Sequence, residues 1–388
     1  MKYDFVIKNG YIVDFELMEI TKKDVLVRNG KIEAVKESID ACMGNVIDAS
    51  GKYVLPGLID EHTHLNYQCN AMGANADLLC IPSGITTAFD AGTAGWSNFD
   101  MFYRANILRF TTNVKAYIHA APYGMMCGCI HQENHDPSDF NEKEIMNLFY
   151  RYPDIIKGIK LRMCKDTLGE LGSAPLKRAV EIADSIEARG FFCKVAVHVN
   201  DLPLNVTIPE ILEILRPGDI FVHIFQPVGE TVFDSAGHIR PCINAAREKG
   251  IVFDCSNGRP HWSFDTLRQA LQDGFYPDII SSDVIRFSQF LSPGFSLLHA
   301  MAVCSCAGWD TLEILKRVTY NPAKYLGIMD EAGTLECGTP ADICIMDIQD
   351  TEQIFYDMYG GACKGNQLFV PLMTMKDGEI VFRQIYYA

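Results

Sequence analysis

Eight short apolar runs, spaced through the middle of the chain, constrain its fold more than any other feature. They cover residues 54–59, 85–90, 114–119, 155–161, 194–199, 219–224, 251–255 and 278–282. Most are followed by an amphipathic, helix-like stretch such as 174–189 or 241–249. Strand-like runs alternating with helical ones predict a parallel sheet with helical crossovers, and eight such units are what a closed (β/α)8 barrel needs. The ends of the chain read differently. Residues 3–54 and 333–388 hold short strands and turns with no long helical period. Asn9-Gly10, Asn29-Gly30 and Asp377-Gly378 are hairpin signals. The expected fold is therefore an α/β chain: a TIM barrel over residues 55–332 and a small β-sandwich assembled from residues 1–54 and 333–388.

The first run ends abruptly in Asp60, Glu61, His62, Thr63 and His64. Side chains two apart on a strand share a face, so His62 and His64 point to the same side. Two imidazoles at the end of a buried strand can grip one divalent metal. Other strand ends carry further candidates: Lys160 on the fourth run, His198 on the fifth, His223 on the sixth and Asp283 after the eighth. A barrel assembles its site from residues at the C-terminal ends of several strands. Each residue alone has a structural explanation, such as a satisfied core histidine, a snorkelling lysine or an N-cap aspartate. Six at successive strand ends make a metal site the better account. Lys160 needs a chemical reason, because an ammonium does not ligate; buried beside cations it loses its proton, and the amine can then add carbon dioxide to form a carbamate. Lys157 is the competing lysine.

Pro56-Gly57-Leu58-Ile59-Asp60 followed by His62-Thr63-His64 resembles the signature that ends the first barrel strand in the metal-dependent amidohydrolase superfamily. The resemblance implies two divalent metal ions. His62, His64 and Asp283 would hold one, His198 and His223 the other, and carboxylated Lys160 would bridge them. It also makes Asp283 the acid/base that moves the proton. Nitrogen and carboxylate ligands with open positions suit zinc best, with manganese or iron as alternatives. Five segments are similar to a subgroup described as amidohydrolase/deacetylase or dihydroorotase-like: 83–92, 158–162, 215–219, 250–254 and 280–284. After the seventh strand that pattern leads one to expect a histidine near position 257. This chain has Ser256-Asn257-Gly258 there, with His261 four residues on. Asn257 and His261 are therefore candidate substrate contacts. So is Arg162, two residues from Lys160 and on its strand face, which could clamp a substrate carboxylate or pair with a pocket acid such as Asp90. Arg259 is a second, weaker candidate for the clamp.

The net charge of −15 disfavours nucleic acid and anionic membranes as partners, since both select basic surfaces. A small-molecule substrate and a homo-oligomer are expected instead. The 14 cysteines include no Cys-x-x-Cys; Cys127/Cys129 and Cys304/Cys306 are spaced unlike zinc knuckles, and Cys193, Cys255 and Cys344 sit in apolar runs, so most read as buried and reduced. With no signal-peptide core and no run of about 18 apolar residues, the expected setting is the cytoplasm. The functional expectation is a binuclear hydrolase that cleaves an amide or ester, foremost an acetyl bond of a small carboxylate-bearing substrate, through a metal-bound hydroxide. The alternatives are a dihydroorotase- or hydantoinase-like cyclic-amide hydrolase, a deaminase, or a non-catalytic homologue. The loop 123–131, rich in Gly, Met and Cys, reads as a pocket wall or as an irregular connection.

Overall fold

The computed structural model describes residues 3–125 and 133–387. Residues 126–131 of the expected pocket loop lie outside the described residues. Seven parallel strands form one sheet in sequential order: β1 (Leu58–Thr63), β2 (Ile85–Gly95), β3 (Asn113–His119), β4 (Ile156–Met163), β5 (Lys194–Val199), β6 (Ile220–Val222) and β7 (Val252–Asp254). The sheet curls until its edges approach. The eighth expected run is not a regular strand but bridges both edges in parallel, Ile279 against Asp254 and Val284 against Thr63. Its backbone bonds run to both sides, with Cys255 N donating to Ile279 O and Asp283 N to His62 O. The fold is thus α/β around a curled parallel sheet. Helices such as Ala174–Glu187 and Pro241–Lys249 cover its outside. Their inward residues, Leu176, Ala179, Ile182, Ala183 and Ile186 on the first, are fully buried in the main core.

The two ends of the chain meet in a second sheet of eight strands. Ile343–Asp350 pairs with Tyr53–Pro56, which in turn pairs with Phe5–Asp14. Ile7, Val25, Val27, Ile345 and Met373 fill this sheet's own apolar cluster. The expected first strand, 54–59, is therefore two strands in two sheets. The chain changes partner at Gly57, whose amide bonds to Asp342 O at 2.8 Å while that of Leu58 bonds to Gly84 O at 2.9 Å. A Cβ at Gly57 would lie 2.1 Å from Thr86 Oγ1, so only glycine fits the crossing.

Asn29-Gly30 and Asp377-Gly378 form the expected hairpin turns with positive φ. Asn9-Gly10 does not. It is a bulge inside Phe5–Asp14, where the register slips between Ile7 and Gly10. Asn9 is held there by Asp24, which accepts its backbone amide at 2.8 Å. Cys193, Cys255 and Cys344 are buried free thiols. Cys306 and Cys363 form a disulfide that the reduced-thiol expectation does not anticipate. Among the described residues no helix is long and apolar enough to cross a membrane.

Asp24 also accepts the Ile39 amide at 2.8 Å and the Lys8 ammonium. Burial alone would raise its pKa, but these bonds outweigh that and hold the carboxyl below its ordinary value. The resulting stabilisation is complete above the unfolded-state value of ~3.9 and is lost as pH falls through the lower folded-state value. Asp24→Asn should cost about 1–3 kcal/mol at neutral pH. In urea titrations the gap to wild type should shrink below pH ~4; a gap that persists unchanged into acid would contradict this role.

Candidate metal centre

All six residues expected from strand ends converge at the C-terminal end of the curled sheet. His62 ends β1 and His64 follows it; both are buried. The His64 Nε2 and His62 Nε2 atoms lie 3.3 and 3.4 Å from Asp283 Oδ1. Lys160 on β4 is 1% exposed, with Nζ 3.3 Å from His62 Nε2. The His198 Nδ1 atom on β5 lies 2.8 Å from Nε2 of His223, which follows β6. The two halves meet where the rings of His62 and His223 approach to 5.5 Å between centroids. Lys157 is held elsewhere, near Lys115 and Glu331, so it does not compete with Lys160.

Hydrogen bonds behind the site fix which nitrogens face inward. The Thr93 hydroxyl donates to Asp90 Oδ2 at 2.7 Å and so must accept from His64 Nδ1–H at 2.9 Å. In the neutral ring the Nε2 of His64 is then a bare lone pair, facing the Asp283 carboxylate. A lone pair and a carboxylate oxygen 3.3 Å apart repel one another unless a cation lies between them. Across the site His223 Nδ1 donates to Ser256 O at 2.7 Å, which leaves its Nε2 as an acceptor facing His198 Nδ1; His198 can donate Nδ1–H to it, and its own Nε2 is then the lone pair left without a partner among the described residues. Burial keeps three of the imidazoles neutral: His62, His198 and His223 are held well below the ordinary histidine value, by burial first and by neighbouring positive groups second. Neutral imidazoles and a carboxylate, converging beside the Lys160 amine, are a donor set that divalent metals fit.

Lys160 meets the requirement for carbamate chemistry. Burial lowers its ammonium to about 8, against the pull of Glu61, Asp283 and Asp254. A measurable fraction is then the free amine near neutral pH. Beneath it lies a layer of acids. Burial raises Glu61 well above the usual carboxylate range and Asp254 to about 6. Tyr117 donates to Glu61 at 2.5 Å, and Ser281 Oγ donates to Asp254 at 2.7 Å.

His261 reaches back into the site from four residues beyond position 257. Its ring stacks on His223 at 4.0 Å, and its Nε2 is 3.7 Å from Asp283 Oδ2. Burial lowers it to about 4. Asn257 is buried, and neither of its amide atoms has a partner among the described residues. Arg162 does line the cavity, yet its Nη1 donates to Glu133 Oε1 at 2.6 Å. The acid that pairs with it is Glu133, not Asp90, whose oxygens are taken by Leu65 N and by Thr93.

Glu133 belongs to a cluster with His119 and His135 that the sequence pattern does not single out. His119 ends β3, so it carries the same strand-end signal as the ligands. His119 Nε2 and His135 Nε2 lie 3.2 and 3.0 Å from Glu133 Oε2. Here the tautomer runs the other way. Ala121 N–H donates to His119 Nδ1 at 3.0 Å, so the ring proton sits on Nε2 and faces the carboxylate. Burial alone would raise Glu133, but His119, His135 and Arg162 hold it well below the usual range. The His119 proton faces the carboxylate, while His135 Nδ1 is left without a partner among the described residues.

The cavity holds about 360 Å³ and is bounded by His62, Lys160, His198, His261 and Asp283 on the side of the centre and by Met72, Met125 and Ile285 among its apolar walls. That volume suits a small molecule. A sequence model of the Amidohydrolase family matches residues 220–381. A protein named Deacetylase from Enterococcus faecalis is 29% identical over 98% of this chain and 99% of its own length. Among solved structures, an adenine deaminase superposes with a TM-score of 0.89 at 28% identity, covering 98% of this chain and all of that one. A dihydroorotase superposes with the same score at 25% identity, covering 99% and 98%.

Glu133→Gln leaves the Arg162 guanidinium without its buried counter-charge and should destabilise the chain by about 3–5 kcal/mol. Adding Arg162→Met should recover part of that loss. Strictly additive losses in thermal or urea unfolding would show that the two residues are not coupled.

Proposed function

Since the chain belongs to the metal-dependent amidohydrolase superfamily, we propose that it is a two-metal hydrolase that removes an acyl group, foremost acetyl, from a small carboxylate-bearing substrate. The observation that carries this reading is the convergence of inward-facing lone pairs with Lys160 and Asp283 at one cavity. His62, His64 and Asp283 would hold one metal ion, His198 and His223 the other, and carboxylated Lys160 both. Zinc suits this donor set best. When bound, the metals supply a water nucleophile at neutral pH and stabilise charge on the scissile carbonyl oxygen. The two-domain division, with a (β/α)8 barrel over 55–332 and a β-sandwich over 1–54 and 333–388, is part of the same reading. Buried free thiols such as Cys193 support a cytoplasmic setting.

The chain's own residues do the remaining work. The neutral Lys160 amine adds to carbon dioxide: an N–C bond forms, a C=O π bond becomes the second carboxylate oxygen, and one proton leaves to water. The product is an anion with two oxygens in place of a cation that repels metals. Asp283, beside both His62 and His64, takes the proton from the attacking water and returns it to the departing nitrogen or oxygen. Thr93 and the Ser256 carbonyl keep His64 and His223 in the tautomers that expose their lone pairs. The relative named Deacetylase, similar along its whole length, supports acyl transfer to water. A cyclic-amide hydrolase is the second reading, supported by the dihydroorotase neighbour.

A screen of N-acetyl and O-acetyl acids against dihydroorotate and hydantoins separates the two. The first reading requires the higher kcat/KM on an acetylated acid. Asp283→Asn should fold normally yet lose turnover by ~10²–10⁴-fold; activity within a few-fold of wild type would assign the proton to another group. Lys160→Ala should lose metal and activity together. Carbon-13 NMR with labelled bicarbonate should show a carbamate signal in wild type only, and its absence from active wild type would remove the carboxylation step.

A further inference from the structure

Two arginines border the cavity, and they differ in one respect. Arg162 has its charge met by Glu133 at 2.6 Å, with Asp166 Oδ2 at 3.7 Å from its other terminal nitrogen. Arg259 makes no ion pair or hydrogen bond among the described residues, and its Nε is buried without a partner. A guanidinium is always charged and offers a rigid fork of donors, so one left unmatched at a cavity wall is an unfilled anion site. We propose that Arg259, rather than Arg162, reads the substrate's carboxylate. This rests on the acyl-hydrolase reading and names the residue that sets its specificity.

The segment carrying Arg259 is pinned, as a recognition residue requires. Gly258 N donates to Ser282 O at 2.9 Å, and the Tyr359 phenol donates to Pro260 O at 2.6 Å. Gly258 has φ +52° and backs onto the acid/base: a Cβ there would lie 2.6 Å from Asp283 Oδ2. Glycine is needed at this point, and it sets Arg259 one residue from the group that moves the proton. The Arg259 stem lies against Gly294, with its Cγ 3.0 Å from where that residue's Cβ would be. Packing on one side limits the swing of the side chain. Of the carboxylates lining the cavity, Glu133 pairs with Arg162 and its two histidines, Asp166 lies beside Arg162, and Asp283 faces the imidazoles. None is paired with Arg259, which leaves its charge available to a ligand carboxylate. A planar carboxylate matches the fork bidentately. Gly258, which packs on Asp283, precedes Arg259 in the chain, and both arginine and acid line the one cavity, which favours a carboxylate close to the scissile carbonyl, as in an acylated 2-amino or 2-hydroxy acid.

The test compares Arg259→Met, Arg259→Lys and Arg162→Met on an N-acetyl amino acid and on its methyl ester. Arg259→Met should raise KM for the acid by about 10–100-fold, the range of a hydrogen bond to a charged group, and change the ester by less than about threefold. Arg259→Lys should recover part of the loss, because it keeps the charge but not the fork. Arg162→Met should show no preference between acid and ester. Calorimetry with lactate and lactamide supplies a readout free of turnover: wild type should bind lactate, and Arg259→Met should lose that affinity without changing lactamide. Should no acetylated acid be hydrolysed, the acyl-hydrolase reading falls while the calorimetry still decides the role of Arg259. Equal losses on acid and ester, an acid-selective loss in Arg162→Met, or no lactate binding by wild type would overturn the proposal.

Discussion

Everything at the open end of the curled sheet depends on electron-rich groups being forced to face one another. The His64 lone pair meets the Asp283 carboxylate at 3.3 Å, and the His223 lone pair meets His198 at 2.8 Å. The first contact is repulsive for a neutral ring, whereas the second can be met by a proton on His198 Nδ1. Both are imposed from behind, by Thr93 and Asp90 on one side and by the Ser256 carbonyl on the other. The scaffold thus contributes fixed tautomers at the ends of different strands, a cost that cation binding at this donor set would offset. The neighbouring His119–Glu133–His135 cluster shows the contrast. It has similar residue types and similar distances, but the His119 ring proton faces the carboxylate.

Much of this was legible in the sequence, for a physical reason. A parallel sheet directs its strand ends to one rim, so a list of ionisable residues at strand ends is already a list of neighbours. His62, His64, Lys160, His198, His223 and Asp283 were found that way. His119 and Asp254 carry the same positional signal and fall in the same layer, yet position alone cannot tell a ligand from a hydrogen-bonded support. That distinction lies in Ala121 N–H and Thr93 Oγ1, groups with no sequence signature. The partner of Arg162 was equally hidden, because Glu133 lies in a connection beyond β3 rather than on a strand. The first strand was misjudged as one element because its apolar run is continuous; only the change of partner at Gly57 divides it. Asn9-Gly10 carries the turn signal but not the turn, since Asp24 captures the Asn9 amide and the strand continues.

The second sheet bears on the site through contacts rather than chemistry. Gly57 hands the chain from that sheet to β1, so the strand that carries His62 begins one residue after a fixed crossing. The hairpin of Ile354–Tyr356 and Ala362–Lys364 leans on the segment that carries Arg259 and His261: Tyr359 donates to Pro260 O, and Asp357 accepts the Phe264 amide at 2.9 Å. The second sheet and this hairpin therefore share in setting the distance between the converging imidazoles and the wall that carries Arg259.

Metal stoichiometry tests the account most directly. Protein stripped with chelator and titrated with zinc in the presence of bicarbonate should bind about two ions per chain and gain hydrolytic activity as the second binds. One ion with full activity would contradict the two-metal reading. No binding and no gain of activity would contradict the claim that these facing lone pairs are held apart for cations.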